Sequence, residues 1–100
     1  MKFVISWRSR ATEDGERNTE TAARSFENFS KWTPSDKVKF NEFVARADNR
    51  GGFAVIETDD IREVLATNAK FSAYVEYEVF PVVDIADAAG AWQEAIEFTG

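Results

Sequence analysis

The residues best suited to chemistry are polar side chains set into otherwise apolar stretches of the sequence. They are Ser6, Arg8, Glu57, Glu76 and Glu78. An arginine between carboxylates can bind a polar small molecule through paired hydrogen bonds. A carboxylate in a dry cavity has a raised pKa and can act as a general base. This set is therefore our candidate ligand-binding site.

The same residue types also have two structural explanations. Exposed charges at strand ends form rim salt bridges, which contribute about 0 to 1 kcal/mol each. Alternatively, the charges pair across a buried dimer interface. All three interpretations stay open, because a slip of one residue in a strand moves its side chains to the other face of the sheet.

Two absences from the sequence narrow its chemistry. The 100 residues contain no cysteine and no histidine. This chain therefore has no thiol and lacks the commonest general base and metal ligand. The acidic pair Asp59-Asp60 is explained by capping at a helix N-terminus, where carboxylates are favoured. We expect neither a metal nor a cofactor.

Charge and hydropathy limit the partners and the setting. Eighteen acidic against twelve basic residues give a net charge of −6, and no basic stripe with interleaved aromatics occurs, so we expect no nucleic-acid partner. No apolar run approaches the roughly 18 residues of a membrane span. The apolar part of MKFVISWRSR is too short for a signal-peptide core. We therefore expect an acidic, cytoplasmic protein without membrane contact.

Apolar periodicity predicts the elements that position the candidate site. Alternation predicts strands, with a bulge near Asn41-Glu42, over 2–8, 37–47, 53–58 and 74–84. Helical spacing predicts helices that begin at Asn18 or Thr19, after a polar loop over 9–18, at Asp60 and at Ile85. With 44% hydrophobic residues, we expect one globular domain over residues 1–100.

The order of these elements predicts an α+β, ferredoxin-like βαββαβ fold with an additional C-terminal helix. Its antiparallel sheet carries the two main helices on one face, and the first strand lies between the fourth and the third. We expect the first and third strands to run parallel. That direction would gather Arg8, Glu57 and Glu76 at one end of the sheet, on the face away from Phe3 and the helices.

Both faces of the predicted sheet carry large apolar residues. Phe53 and Val55 alternate with Ala54 and Ile56, whereas an antiparallel sheet with one wet face should alternate cleanly between apolar and polar. Such a surface marks a partner or ligand site, and twofold dimers are the commonest oligomers. We expect a homodimer through the sheet. The alternative is a monomer whose C-terminal helix covers the open face.

Three segments resemble a known family. VISW (4–7), GGFAVIETDD (51–60) and EYEVFPVVD (76–84) are similar to a family of short, uncharacterised, mostly bacterial proteins, domain of unknown function 3303. The family is similar in architecture to dimeric α+β barrels. The resemblance covers nearly the whole chain and implies a ferredoxin-like protomer that pairs through its sheet, with any ligand cavity in the layer facing the partner. It implies no activity.

Two functions fit these observations. The first is a small homodimeric binding or accessory protein without chemistry of its own. The alternative is a cofactor-independent enzyme of the dimeric-barrel type, an oxygenase or isomerase acting on a small molecule. In that enzyme Arg8 would orient the substrate, and Glu57 or Glu76 would abstract a proton.

Overall fold

A computed structural model of the chain describes residues 1–10 and 14–100. The elements are, in order, β1 (Lys2–Ser9), α1 (Gly15–Lys31), β2 (Lys39–Ala45), β3 (Gly51–Glu57), α2 (Ile61–Phe71), β4 (Val75–Val82) and α3 (Ile85–Thr99). This is the predicted order, including the additional C-terminal helix. Within the described ranges, no helix is both long and apolar enough to cross a membrane.

The four strands form one sheet in the order β2-β3-β1-β4. This order confirms the ferredoxin-like fold and places β1 between β4 and β3, as predicted. However, β1 runs antiparallel to both of its neighbours, so the predicted parallel direction of β1 and β3 is wrong. Each helical crossover joins two parallel strands that have an antiparallel strand between them. β1 is therefore parallel to β2, and β3 to β4.

Helix α1 begins earlier than predicted. The carboxylate of Asp14 accepts hydrogen bonds from the backbone N–H groups of Glu16 and Arg17, both at 3.1 Å. Asp14 is therefore the N-cap, and the predicted caps, Asn18 and Thr19, lie inside the helix. The predicted polar loop over 9–18 is correspondingly shorter, and its residues 11–13 lie outside the described residues.

Local irregularities occur where the sequence predicted them. The β2–β3 register shifts between Phe40 and Glu42, which confirms the predicted bulge. Pro81 lies in β4, an edge strand, where its missing N–H removes no hydrogen bond inside the sheet. Asp60 caps α2 by accepting a hydrogen bond from the backbone N–H of Arg62.

The core lies between the sheet and α2. Phe3, Ile5, Ala54 and Ile56 point from β1 and β3 toward Val64 of α2, and all five are buried. Burial of a Phe or Ile side chain stabilises the fold by about 1.5 to 3 kcal/mol. Helix α1 lies on the same side of the sheet, but none of its residues is buried. The core therefore depends on α2 far more than on α1.

Helix α3 extends away from the rest of the protein. It has no buried residue, and Trp92 and Ile96 are 59% and 63% exposed. The molecule measures 60 × 32 × 20 Å with a radius of gyration of 17.4 Å, whereas a compact chain of this length has a radius of about 13 Å. The alternative in which the C-terminal helix covers the open face of its own sheet is not observed.

Replacement of Gly52 by alanine is expected to destabilise the fold. A Cβ atom at Gly52 would collide with the backbone carbonyl oxygen of Val44 and with the indole of Trp7. Because part of this contact is backbone, we expect Gly52→Ala to lower the free energy of unfolding by about 1 to 3 kcal/mol. Equilibrium unfolding in urea measures this difference.

Gly90→Ala is the matched control. A Cβ atom at Gly90, inside α3, meets nothing within 4 Å, and alanine favours a helix by about 1 kcal/mol over glycine. We expect this variant to be at least as stable as the wild type. Equal stability of Gly52→Ala and the wild type would contradict the close packing of β3 on Trp7.

Candidate ligand-binding cleft

Four of the five predicted site residues come together on the open face of the sheet, the face turned away from the helices. In the β1–β4 register Ser6 lies opposite Glu78, and Arg8 lies opposite Glu76. Residues directly opposite each other on neighbouring strands share a face. The carboxylate of Glu76 is bound by Arg10, whose Nη1 lies 3.3 Å from Oε1. Arg10 was not among the site residues predicted from the sequence.

Glu57 lies at the opposite end of this face. Its register partner on β1 is Lys2. Its carboxylate accepts a hydrogen bond of 3.1 Å from Asn41 and lies 3.7 Å from Nζ of Lys39. The predicted gathering of Glu57 with Arg8 is therefore wrong, because β1 and β3 run antiparallel. Glu57 makes the cross-strand contacts of a charge at a sheet rim.

The middle of the open face is apolar. Val4 lies between its register partners Val55 on β3 and Phe80 on β4, and Phe53 lies opposite Ser6. Phe53 and Phe80 are both nearly half exposed. We call Val4, Phe53, Val55 and Phe80 the open-face band. It confirms the predicted apolar character of the second face.

A cleft of about 330 Å³ lies on the other side, between the sheet and the helices α1 and α2. Its volume falls at the lower end of the range of small-molecule sites. The buried floor includes Ile5, Ala54 and Val64, whereas Phe29 and Phe43 are about half exposed. This cleft lies on the face opposite to the one on which a cavity was predicted. The cleft exists because α1 stands off the sheet instead of burying its side chains against it.

Aromatic rings form much of the cleft wall. Seven aromatic residues line it: Trp7, Phe29, Trp32, Phe40, Phe43, Phe71 and Tyr77. Many of the rings contact one another. The centroid of Phe43 lies 5.4 Å from that of Trp7, edge to face, and 5.2 Å from that of Phe40, stacked. Such pairs contribute about 0.5 to 1.5 kcal/mol each beyond burial. The contacts of Phe29 and Trp32 with this network attach α1 to the sheet.

A few polar side chains face this apolar wall. Thr67 and Asn68 of α2 and Tyr77 of β4 line the cleft and are half-buried. In the described part of the chain, these three side chains make no hydrogen bond to another protein group. A fourth polar residue of the cleft, Glu63, has its carboxylate oxygen Oε1 3.9 Å from Nζ of Lys37. Thr67, Asn68 and Tyr77 are therefore available to a ligand or to solvent.

The hydroxyl of Tyr77 is a hydrogen-bond donor at neutral pH. Burial raises the pKa of Tyr77 to about 12, because the phenolate would lose its hydration in the apolar wall. The group therefore stays protonated and polarises an acceptor instead of serving as a base. Among residues 1–10 and 14–100, no cluster of three or more acidic residues is arranged to hold a metal ion.

These cleft residues were not predicted as a site, although the sequence pattern marks two of them as facing the interior. Asn68 follows Val64 and Leu65 at the spacing of the apolar stripe of α2, and Tyr77 is in phase with Val75. A polar group at an apolar phase indicates a hydrogen-bonding group that faces the interior. That signal does not reveal whether a cavity exists there, since the cavity depends on the placement of α1.

The strand order and the cleft together define a ferredoxin-like α+β protein with an aromatic-lined cavity between sheet and helices. The chain belongs to the family of the domain of unknown function 3303, which matches residues 1–96. This match confirms the resemblance seen in the sequence. No curated protein matches the chain.

The fold is similar to that of several solved structures, among them muconolactone isomerase and SnoaB. Muconolactone isomerase is 12% identical, with a TM-score of 0.45 over 84% of this chain and 90% of that chain. SnoaB, a cofactor-independent oxygenase from Streptomyces nogalater, is 14% identical, with a TM-score of 0.36 over 83% of this chain and 92% of that chain.

Ionisation of Tyr77 is expected to destabilise the protein at high pH. The pKa of its phenol is 10.0 when solvated and about 12 in the fold, so the unfolded chain releases this proton first. The free energy of unfolding should not depend on Tyr77 below pH 10 and should fall as the pH rises from about 10 to about 12. Urea unfolding measured across this pH range should show a smaller fall in the free energy of unfolding for Tyr77→Phe than for the wild type. An identical decline in both proteins would show that the phenol is not buried.

Proposed function

We propose that the protein is a homodimeric binding module that takes a small, flat, largely apolar molecule into its cleft. The observation that carries this proposal is the combination of aromatic walls with three unpaired polar groups in one cavity of about 330 Å³. Core aromatics fill space and leave no such volume. Here the rings contact one another around a space that is large enough for a ligand.

The chemistry of the wall defines the ligand. Apolar surface removed from water contributes about 25 cal/mol per Å², so the rings supply most of the affinity. Tyr77 donates a hydrogen bond, and the amide of Asn68 both donates and accepts. A planar aromatic molecule that carries a carbonyl group satisfies both features. The carbonyl oxygen, which has two lone pairs, accepts from both Tyr77 and Asn68, and the ring system stacks among the aromatic side chains.

The open face supports the homodimer in this proposal. Phe53 and Phe80 of the open-face band are exposed, Val4 and Val55 are half-buried, and α3 does not cover the band within the protomer. Face-to-face packing of two sheets would bury the band in both copies at once. Ser6, Arg8, Glu76 and Glu78 would then flank the contact at one end, and Glu57 would lie at the other end. We propose these five residues as the polar rim of the dimer.

Binding is tested with aromatic ketones and intrinsic tryptophan fluorescence. Trp92→Phe leaves Trp7 and Trp32, and both line the cleft. We expect 2-acetylnaphthalene to quench the emission of this variant in a saturable manner. Loss of one hydrogen bond costs about 0.5 to 1.5 kcal/mol, so Tyr77→Phe and Asn68→Ala should each weaken binding by about 2- to 10-fold.

Arg8→Ala, on the open face, is the matched control and should leave the affinity unchanged. If Arg8→Ala weakens binding while the cleft variants do not, the ligand occupies the open face and the cleft proposal fails. If no member of a panel of naphthalene and anthracene ketones quenches the emission, the proposed ligand class is wrong.

Catalysis is a second candidate function, and the position of Glu63 favours it. Among the described residues that line the cleft, Glu63 is the one with a carboxylate side chain. It can therefore act as a general base toward a bound carbonyl compound. An enzyme would convert the bound molecule, and Glu63→Gln would abolish the conversion while binding persists. Recovery of the bound ketone unchanged after prolonged incubation with the wild type would argue for a binding module.

A further inference from the structure

Helix α3 has two distinct faces. Ile85, Ala89, Trp92 and Ile96 recur at intervals of four, three and four residues, which places them on one side of the helix. We call these four residues the α3 stripe. The acidic residues of α3 lie outside this stripe: Asp87, Glu94 and Glu97. Helix α3 contains no basic residue, so all of its charged side chains are acidic.

Little within α3 stabilises it as an isolated helix. It has 15 residues, and isolated helices of about 12 to 15 residues are marginal in water. The side chain of its N-cap residue Asp84 makes no capping hydrogen bond, and one of its carboxylate oxygens binds Nζ of Lys2 at 2.8 Å. Gly90 in its middle costs about 1 kcal/mol relative to alanine. The helix therefore requires a surface against which the stripe packs.

The protomer does not provide that surface. Ile85, Trp92 and Ile96 are each more than half exposed. The base of the helix is held to β1 by the contact of Lys2 with Asp84, and from there α3 extends the molecule to 60 Å. An apolar stripe that extends from the fold in this way is directed at another molecule.

We propose that α3 is an arm that packs its stripe against a second copy of this chain, beside the contact between the two open faces. The inference rests on the homodimer of the proposed function and adds a second contact to it. The first argument is continuity. Along the chain, the exposed Phe80 and the half-buried Val82 of β4 are followed by Val83 and Ile85, which are 68% and 73% exposed. A second copy that packs on the open face would therefore lie close to the base of α3.

The second argument is area. Four strands about 4.8 Å apart and about 7 residues long present roughly 450 Å² of sheet in plan. Stable interfaces bury about 800 Å² on each partner. Helix α3 is about 22 Å long and 10 Å wide, which adds roughly 220 Å². In plan, the arm therefore enlarges the contact that one protomer can offer by about half, which brings it closer to the size of a stable interface.

Charge distinguishes a protein partner from a membrane. Amphipathic helices that lie on membranes carry Lys and Arg on their polar face, which attracts anionic lipids. The acidic polar face of α3 would be repelled by such lipids. In a symmetric dimer both stripes face inward and both acidic faces point to solvent, so no carboxylates are brought together.

The test measures dimer dissociation for variants in three positions. Light scattering on a sizing column should give the wild type a mass of twice 11.3 kDa. Ile96→Glu in the α3 stripe should raise the dimer dissociation constant by at least about tenfold, which corresponds to about 1.4 kcal/mol. Because no α3 residue is buried, this variant should keep the far-UV circular dichroism of a folded sheet.

Phe98→Glu is the matched control. Phe98 belongs to the same helix and is 92% exposed, but it lies outside the stripe, so this variant should retain the wild-type dissociation constant. Phe80→Glu tests the sheet contact separately. Ligand binding in the cleft is read by fluorescence and does not depend on these masses.

Each outcome decides one of the proposals. Dissociation by Ile96→Glu together with a stable Phe98→Glu dimer supports the arm. If Phe80→Glu dissociates the dimer and Ile96→Glu does not, the sheet dimer stands and the arm is overturned. Equal weakening by Ile96→Glu and Phe98→Glu would also overturn it, because a general charge effect would then be responsible. A wild-type monomer at all concentrations would overturn both the homodimer and the arm.

Discussion

Strand β1 is hydrogen-bonded to β3 on one edge and to β4 on the other. These two registers fix which side chains of the three strands face the helices and which face the open side. Phe3 and Ile5 point to the helices and form the core with α2. Val4 and Ser6, one residue out of phase, point to the open face. Because successive side chains of a strand alternate, the cleft and the open-face band cannot exchange residues. The proposed ligand contacts and the proposed dimer contacts therefore lie at alternate positions of the same strand, so a substitution at one set leaves the side chains of the other set in place.

The two main helices contribute to the protein in different ways. Helix α2 buries Val64 and Phe71 and closes the core, whereas α1 is attached through ring contacts of Phe29 and Trp32. Edge-to-face contacts between large rings hold a helix at a distance that aliphatic packing would not maintain. The cleft follows from this difference. A protein with Leu in place of these rings would either bring α1 down onto the sheet or lose its contact.

Periodicity and capping chemistry made much of the fold predictable from sequence, including the bulge next to Phe40 and the edge position of Pro81. Both depend on local hydrogen-bonding requirements that the residue types reveal. The relative direction of β1 and β3 was predicted wrongly, and this error alone placed Glu57 beside Arg8 in the predicted site. The cleft was out of reach for a different reason. Its volume depends on the distance between α1 and the sheet. That distance is set by ring contacts between residues far apart in the sequence, so no short stretch of sequence reveals it. Asn68 showed only that a polar group faces inward.

The absence of buried residues from α1 has a consequence for the motions of the protein. Regions with few buried apolar contacts open locally with a lower free energy than the core, and their amide protons exchange with solvent sooner. Helix α1 belongs to this class, whereas β1, β3 and α2 share the buried cluster. The cleft thus has one firm wall, formed by the sheet and α2, and one wall that can detach while the rest stays folded. A molecule larger than the resting mouth can enter through that second wall without unfolding the domain core.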